Sequence, residues 1–109
     1  MDLKKYQKES RKTAVYQGKN KSYVYPMMGL AGETGEVIEK IKHVYRDKNN
    51  KFDAESKKEI AKEMGDVLWY LAQLATELGL SLDKIATENL TKLQSRKKRK
   101  KILGRGDNR

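Results

Sequence analysis

Apolar residues recur at helical spacing through most of the chain, and nowhere do they settle into the two-residue alternation of a strand. Four helical segments are predicted. The first spans Leu3 to Tyr16 and gives way to the breaker-rich run Gly18-Lys19-Asn20-Lys21-Ser22. The second follows Tyr25-Pro26, proline being suited to a helix start, and reaches about Tyr45 before the polar loop Asp47-Lys48-Asn49-Asn50. The third opens at Asp53, whose side chain suits an N-cap, and runs to Leu78, with Gly79 as its stop signal. Ser81 caps a fourth helix that holds its pattern to about Arg96. The expectation is an all-α fold: a four-helix domain over residues 1–96, followed by a basic C-terminal tail, 97–109. Beyond Lys101 that tail has no periodicity, so it is expected to be mobile or ordered by substrate or a neighbouring subunit.

The third helix is apolar over much of its circumference. Ile60, Met64, Val67, Leu68, Leu71, Leu74, Ala75 and Leu78 form one wide stripe, while Trp69 and Ala72 fall on other sides. A helix apolar nearly all round is normally central in a larger core, and three short neighbours scarcely enclose it. A homo-oligomer, dimer or tetramer, is therefore expected, with Trp69 packing against another subunit. A chain of 109 residues is one domain that buries only roughly two-thirds of its unfolded surface, so assembly would help it.

The second and third helices repeat one pattern at an offset of thirty residues. Leu30-x-x-Glu33-x-Gly35-Glu36-Val37-Ile38-x-x-Ile41 aligns with Ile60-x-x-Glu63-x-Gly65-Asp66-Val67-Leu68-x-x-Leu71. At about 100° per residue, Glu33 and Glu36 lie along one edge of an apolar stripe, and Glu63 and Asp66 take the same place beside the other. Antiparallel packing lets all four carboxylates converge. Together they cannot all ionise without a counter-charge, and oxygen-only ligands favour Mg²⁺, with Mn²⁺ as the alternative. Either motif alone is common on solvated helix faces; the duplication is what favours a metal site. Gly35 and Gly65, costly inside helices, suggest a close approach of backbone or ligand.

Charge changes the picture less than its total suggests. Of the net charge of +10, residues 96–109 carry +7 and the other 95 residues only +3. The basicity belongs to the tail, which argues against a nucleic-acid-binding domain. The absence of cysteine removes a thiolate metal site and a Cys nucleophile and suits a reducing compartment. No apolar run approaches the roughly 20 residues of a membrane span, so no membrane partner and a cytoplasmic location are expected.

Gly29-Leu30-Ala31-Gly32-Glu33-Thr34-Gly35-Glu36-Val37, followed by Lys62-Glu63-Met64-Gly65-Asp66-Val67-Leu68-Trp69-Tyr70-Leu71, resembles the MazG-like nucleoside triphosphate pyrophosphohydrolases of the all-α NTP pyrophosphatase superfamily. Tyr25-Pro26, Asn89-Leu90-Thr91-Lys92-Leu93 with Arg96, and the closing Gly-x-Gly-Asp-Asn-Arg at 104–109 extend the likeness over nearly the whole chain. The resemblance implies Mg²⁺-dependent hydrolysis of an NTP or dNTP to monophosphate and pyrophosphate, in nucleotide-pool control or housecleaning, by a dimer or a dimer of dimers. It assigns the metal to Glu33, Glu36, Glu63 and Asp66. Gly32 stands where many members carry a further Glu, which leaves two alternatives open: fewer ions, or Glu39 substituting from the next turn.

Either Glu33 or Glu36 is the expected catalytic base. Tyr70, Asn89, Lys92 and Arg96 are expected to contact substrate, as is Lys42, which with Arg46 also suits a helix C-terminus. Tyr6, Thr13 and Tyr16 are candidates for the border of a base pocket. The competing functional class is a small basic nucleic-acid-binding helical protein, whose support is the tail alone.

Overall fold

The computed structural model describes residues 1–109 and contains four helices and no strand. They are α1 (Leu3–Arg11), α2 (Val24–Asp47), α3 (Ala54–Glu77) and α4 (Leu82–Lys98). Three begin on side-chain caps: Asp2 accepts from the Lys5 N–H, Asp53 from Ser56 and Ser81 from Lys84. Each satisfies one of the donors a first turn leaves free. Helix α2 starts at Val24, two residues earlier than its proline suggests. Pro26 then lies inside the first turn, where no N–H is required, and is fully buried.

Helix α1 is shorter than the sequence pattern implies. It ends at Arg11, and turn bonds from the Thr13 and Ala14 N–H groups to the carbonyls of Ser10 and Arg11 carry the chain away. Ala14 and Tyr16 keep an apolar spacing, but they are buried by the turn rather than by a continued helix, and Val15 between them is 92% exposed. The tertiary reason is Glu77. Its carboxylate accepts from the Tyr16 hydroxyl, from the Asn20 N–H at 3.2 Å and from Arg11 at 3.0 Å. Arg11 also donates to the Tyr16 oxygen at 2.6 Å and to the Asn20 side chain at 2.7 Å. Burial pushes the Glu77 carboxyl up, but these donors outweigh it and hold it below its ordinary value.

Helices α2 and α3 form an antiparallel hairpin, α1 lies across one face of α3, and α4 packs on α1. Gln7 ties three of these pieces together. Its amide donates to Thr76 Oγ1 at 3.0 Å and to the Leu80 carbonyl at 2.9 Å, and its oxygen accepts from the Leu82 N–H at 2.8 Å. At the centre of the α1–α3 contact the fully buried Gln73 donates to Ser10 Oγ at 3.1 Å, beside the small side chains Ala72 and Ala75.

The opposite side of the hairpin is open. Val37, Ile38, Met64, Val67, Leu68 and Leu71 line a groove of about 580 Å³ between α2 and α3. Ile38 is 62% exposed and Met64 57%. Much of the stripe that marks α3 in the sequence therefore lines a groove instead of a closed core. The radius of gyration, 16.8 Å, exceeds the about 13 Å of a compact chain this long.

Candidate metal centre

The repeated motif brings together Glu33 from α2 with Glu63 and Asp66 from α3. Each offers one carboxylate oxygen, and the three atoms lie within 4.8 Å of one another. The duplication brings the matched pair Glu33 and Glu63 together across the seam of the two antiparallel helices, with Asp66 joining from the next turn of α3. Glu33 is half-buried and its carboxyl is pushed above the ordinary value, first by burial and then by the charges of Asp66, Glu63 and Glu36. Three mutually repelling oxygen donors, with no protein cation in an ion pair with any of them, fit a hard divalent cation.

Glu36 stands one turn further along α2, exposed and outside the trio, though its charge still bears on Glu33. Glu39 lies outside the trio and is engaged elsewhere in this arrangement. Its carboxylate pairs with Lys42 at 3.0 Å and with His43 at 3.2 Å, and these partners draw its pKa down. That ion pair also engages Lys42 on the surface, and Arg46 is held by Asp47 at 2.7 Å. Gly35 and Gly65 have open space around them, so no part of this chain makes the close approach their composition suggests.

Aromatic side chains lie near enough to the carboxylates to feel their charge. Tyr70 follows Asp66 by one turn; burial raises its hydroxyl pKa first, then Tyr25, with the charges of Glu33 and Asp66 adding to it. Tyr6 of α1 is raised in the same sense by burial and by Asp66. Tyr25 stacks on Tyr16 with centroids 5.2 Å apart and planes 3° from parallel, and it meets Tyr70 at 6.4 Å. Sequence reasoning used Tyr25 only as a marker of the helix start and missed it as part of this cluster. Gly29 was missed too: a Cβ there would clash with the Tyr70 ring, and glycine is the signal that could have revealed the contact. Trp69, expected at a subunit contact, finds partners in its own chain. Its indole donates to Thr13 Oγ1 at 2.8 Å and meets Tyr16 and Tyr70 edge to face.

The remaining candidates lie on α4, outside the carboxylate trio. Asn89 and Lys92 line a recess of about 360 Å³ with Ile85, Glu88 and Asp107. Lys92 Nζ pairs with Asp107 at 2.7 Å, and the buried Arg96 bonds both the carbonyl and the carboxylate of Asp107. The tail thus folds back along α4 in its own chain.

Comparison with known proteins agrees with this architecture. The family model described as the MazG nucleotide pyrophosphohydrolase domain matches residues 23–100. The chain is 43% identical over 109 residues to the "Gene 37 protein" of Mycobacterium phage L5, covering 95% of this chain and 96% of that protein. No solved structure matches. No helix is long and apolar enough to cross a membrane. Matching that model over most of its length, from the helix that carries Glu33 to the one that carries Lys92, the chain belongs to the MazG nucleotide pyrophosphohydrolase family.

Proposed function

We propose that this protein hydrolyses a nucleoside triphosphate, NTP or dNTP, to the monophosphate and pyrophosphate with Mg²⁺ or Mn²⁺, acting on the cytoplasmic nucleotide pool. The observation that carries the reading is the convergence of Glu33, Glu63 and Asp66 oxygens within 4.8 Å near a cluster of tyrosines. Those three carboxylates hold the ion, and Glu36 completes the set from the next turn. A bound divalent ion would polarise a phosphate and acidify water. The chain itself positions and shields. Tyr70 and Tyr25 offer ring faces to a base, while Asn89, Lys92 and Arg96 supply hydrogen bonds and positive charge to phosphate. Glu33 or Glu36 accepts the proton of the attacking water.

The same reading includes a homo-oligomer. The groove between α2 and α3 is lined by six apolar side chains, a surface that a second copy of the hairpin would cover, giving the closed four-helix arrangement that one chain lacks. Incubation with a panel of NTPs and dNTPs and Mg²⁺, with separate detection of pyrophosphate and phosphate, tests the activity. Release of phosphate in place of pyrophosphate, or none of either, ends the proposal.

A further inference from the structure

We infer that Asp107 is an internal competitor for polyphosphate: its carboxylate fills the anion seat made by Lys92 and Arg96, and an incoming phosphate chain displaces it together with the strap that carries it. The inference rests on the reading above that these two cations take phosphate.

The strap is a built element. At the end of α4, Lys100 adopts a left-handed φ of 59°, and the Lys101 N–H bonds the Arg96 carbonyl at 2.7 Å, which turns the chain back. The Arg109 guanidinium then braces the loop from inside, donating to the carbonyls of Lys101 at 3.0 Å, Ile102 at 2.9 Å and Gly106 at 2.6 Å. Gly104 leaves room for that brace, since a Cβ there would stand 2.9 Å from the Arg109 side chain. Asp107 is thereby presented to α4 at a defined place.

What holds the strap down is charge rather than burial. Leu103 is 93% exposed and Ile102 44%, so apolar contact contributes little. The attachments to α4 are Lys92 and Arg96 on the Asp107 carboxylate and Arg96 on the Asp107 carbonyl, with Arg99 at the helix C-cap on the Arg109 carbonyl. The two cations differ in kind: Arg96 is 6% exposed and fixed, whereas Lys92 is 36% exposed and Asp107 76%. A fixed guanidinium beside a solvent-reachable ammonium suits anion exchange. One carboxylate gives way to a ligand that offers several charged oxygens at once, and water reaches the contact from the Lys92 side.

Calorimetric titration with inorganic pyrophosphate, without divalent metal, tests this. Asp107→Asn should bind pyrophosphate about fivefold more tightly than the unaltered protein, the range of an exposed ion pair, and Lys92→Met should lose the binding. Gly104→Ala, which crowds Arg109 and loosens the strap, should tighten it in the same direction while leaving both cations and Asp107 in place. The Lys101 amide, bonded to the Arg96 carbonyl at 2.7 Å, should lose hydrogen-exchange protection as pyrophosphate saturates. Equal or weaker binding by Asp107→Asn, absence of binding in every form, or a Lys101 amide that stays protected at saturation overturns the inference. None of these readouts involves turnover, so they stand apart from any failure of the hydrolase reading.

Discussion

The Tyr70 ring occupies the space into which any side chain at Gly29 would project. Helix α2 and the aromatic cluster near the carboxylate site are therefore in direct contact through a missing methyl group. Gly29→Ala should force the ring aside at a cost of about 1–3 kcal/mol, the usual penalty of overpacking. Calorimetry should record a lower Tm, and KM for the nucleotide should rise while Mg²⁺ affinity holds.

The carboxylate trio gives two opposite signs in one experiment. Without metal, Glu33→Gln relieves repulsion among Glu33, Glu63 and Asp66 and should raise Tm. In the unaltered protein, Mg²⁺ at a hundred times its dissociation constant should add about 2.7 kcal/mol of stability. Glu33→Gln and Asp66→Asn should lose that increment and lose turnover. Glu36→Gln, altered outside the trio, should keep part of the Mg²⁺ shift yet lose turnover. A full rate in any of the three variants removes that residue from the proposed site.

Assembly through the α2–α3 groove can be tested at Leu68, which is 37% exposed in the single chain. Leu68→Arg places a charge where a second copy would pack, while its cost within one chain is small. Sedimentation should show an oligomer for the unaltered protein and a monomer for the variant.

Glu77 sets an acid limit. Its carboxyl is held below the ordinary value of 4.5 when folded, so its contribution to stability is complete above that pH and fades as acid lowers pH through the depressed value. Glu77→Gln should cost about 2 kcal/mol at neutral pH and flatten the acid limb of the stability profile. An unchanged limb would mean that another carboxylate governs it.

The hairpin and its acidic motif were legible because both depend on short-range periodicity: the thirty-residue repeat names Glu33, Glu63 and Asp66 before any coordinate does. The caps at Asp53 and Ser81 were legible for the same local reason. The end of α1 was not. Ala14 and Tyr16 look helical in spacing, and only Glu77, 61 residues from Tyr16, tells the chain to turn. The contacts of Trp69 within its own chain were not legible, because a helical projection cannot know that Thr13 and Tyr16 will lie beside it. The strap escaped for a related reason: its order comes from Arg109 and Asp107 folding back on α4, with no periodic pattern to announce it.

Gln7 also constrains the order of events during synthesis. Its partners Thr76, Leu80 and Leu82 lie 69 to 75 residues downstream, while the α2–α3 hairpin needs only its own neighbours. As the chain leaves the ribosome, α1 must wait undocked until α3 and the start of α4 have emerged. The hairpin is already able to close by then, so its apolar groove stands exposed to solvent before the N-terminal helix has found its seat.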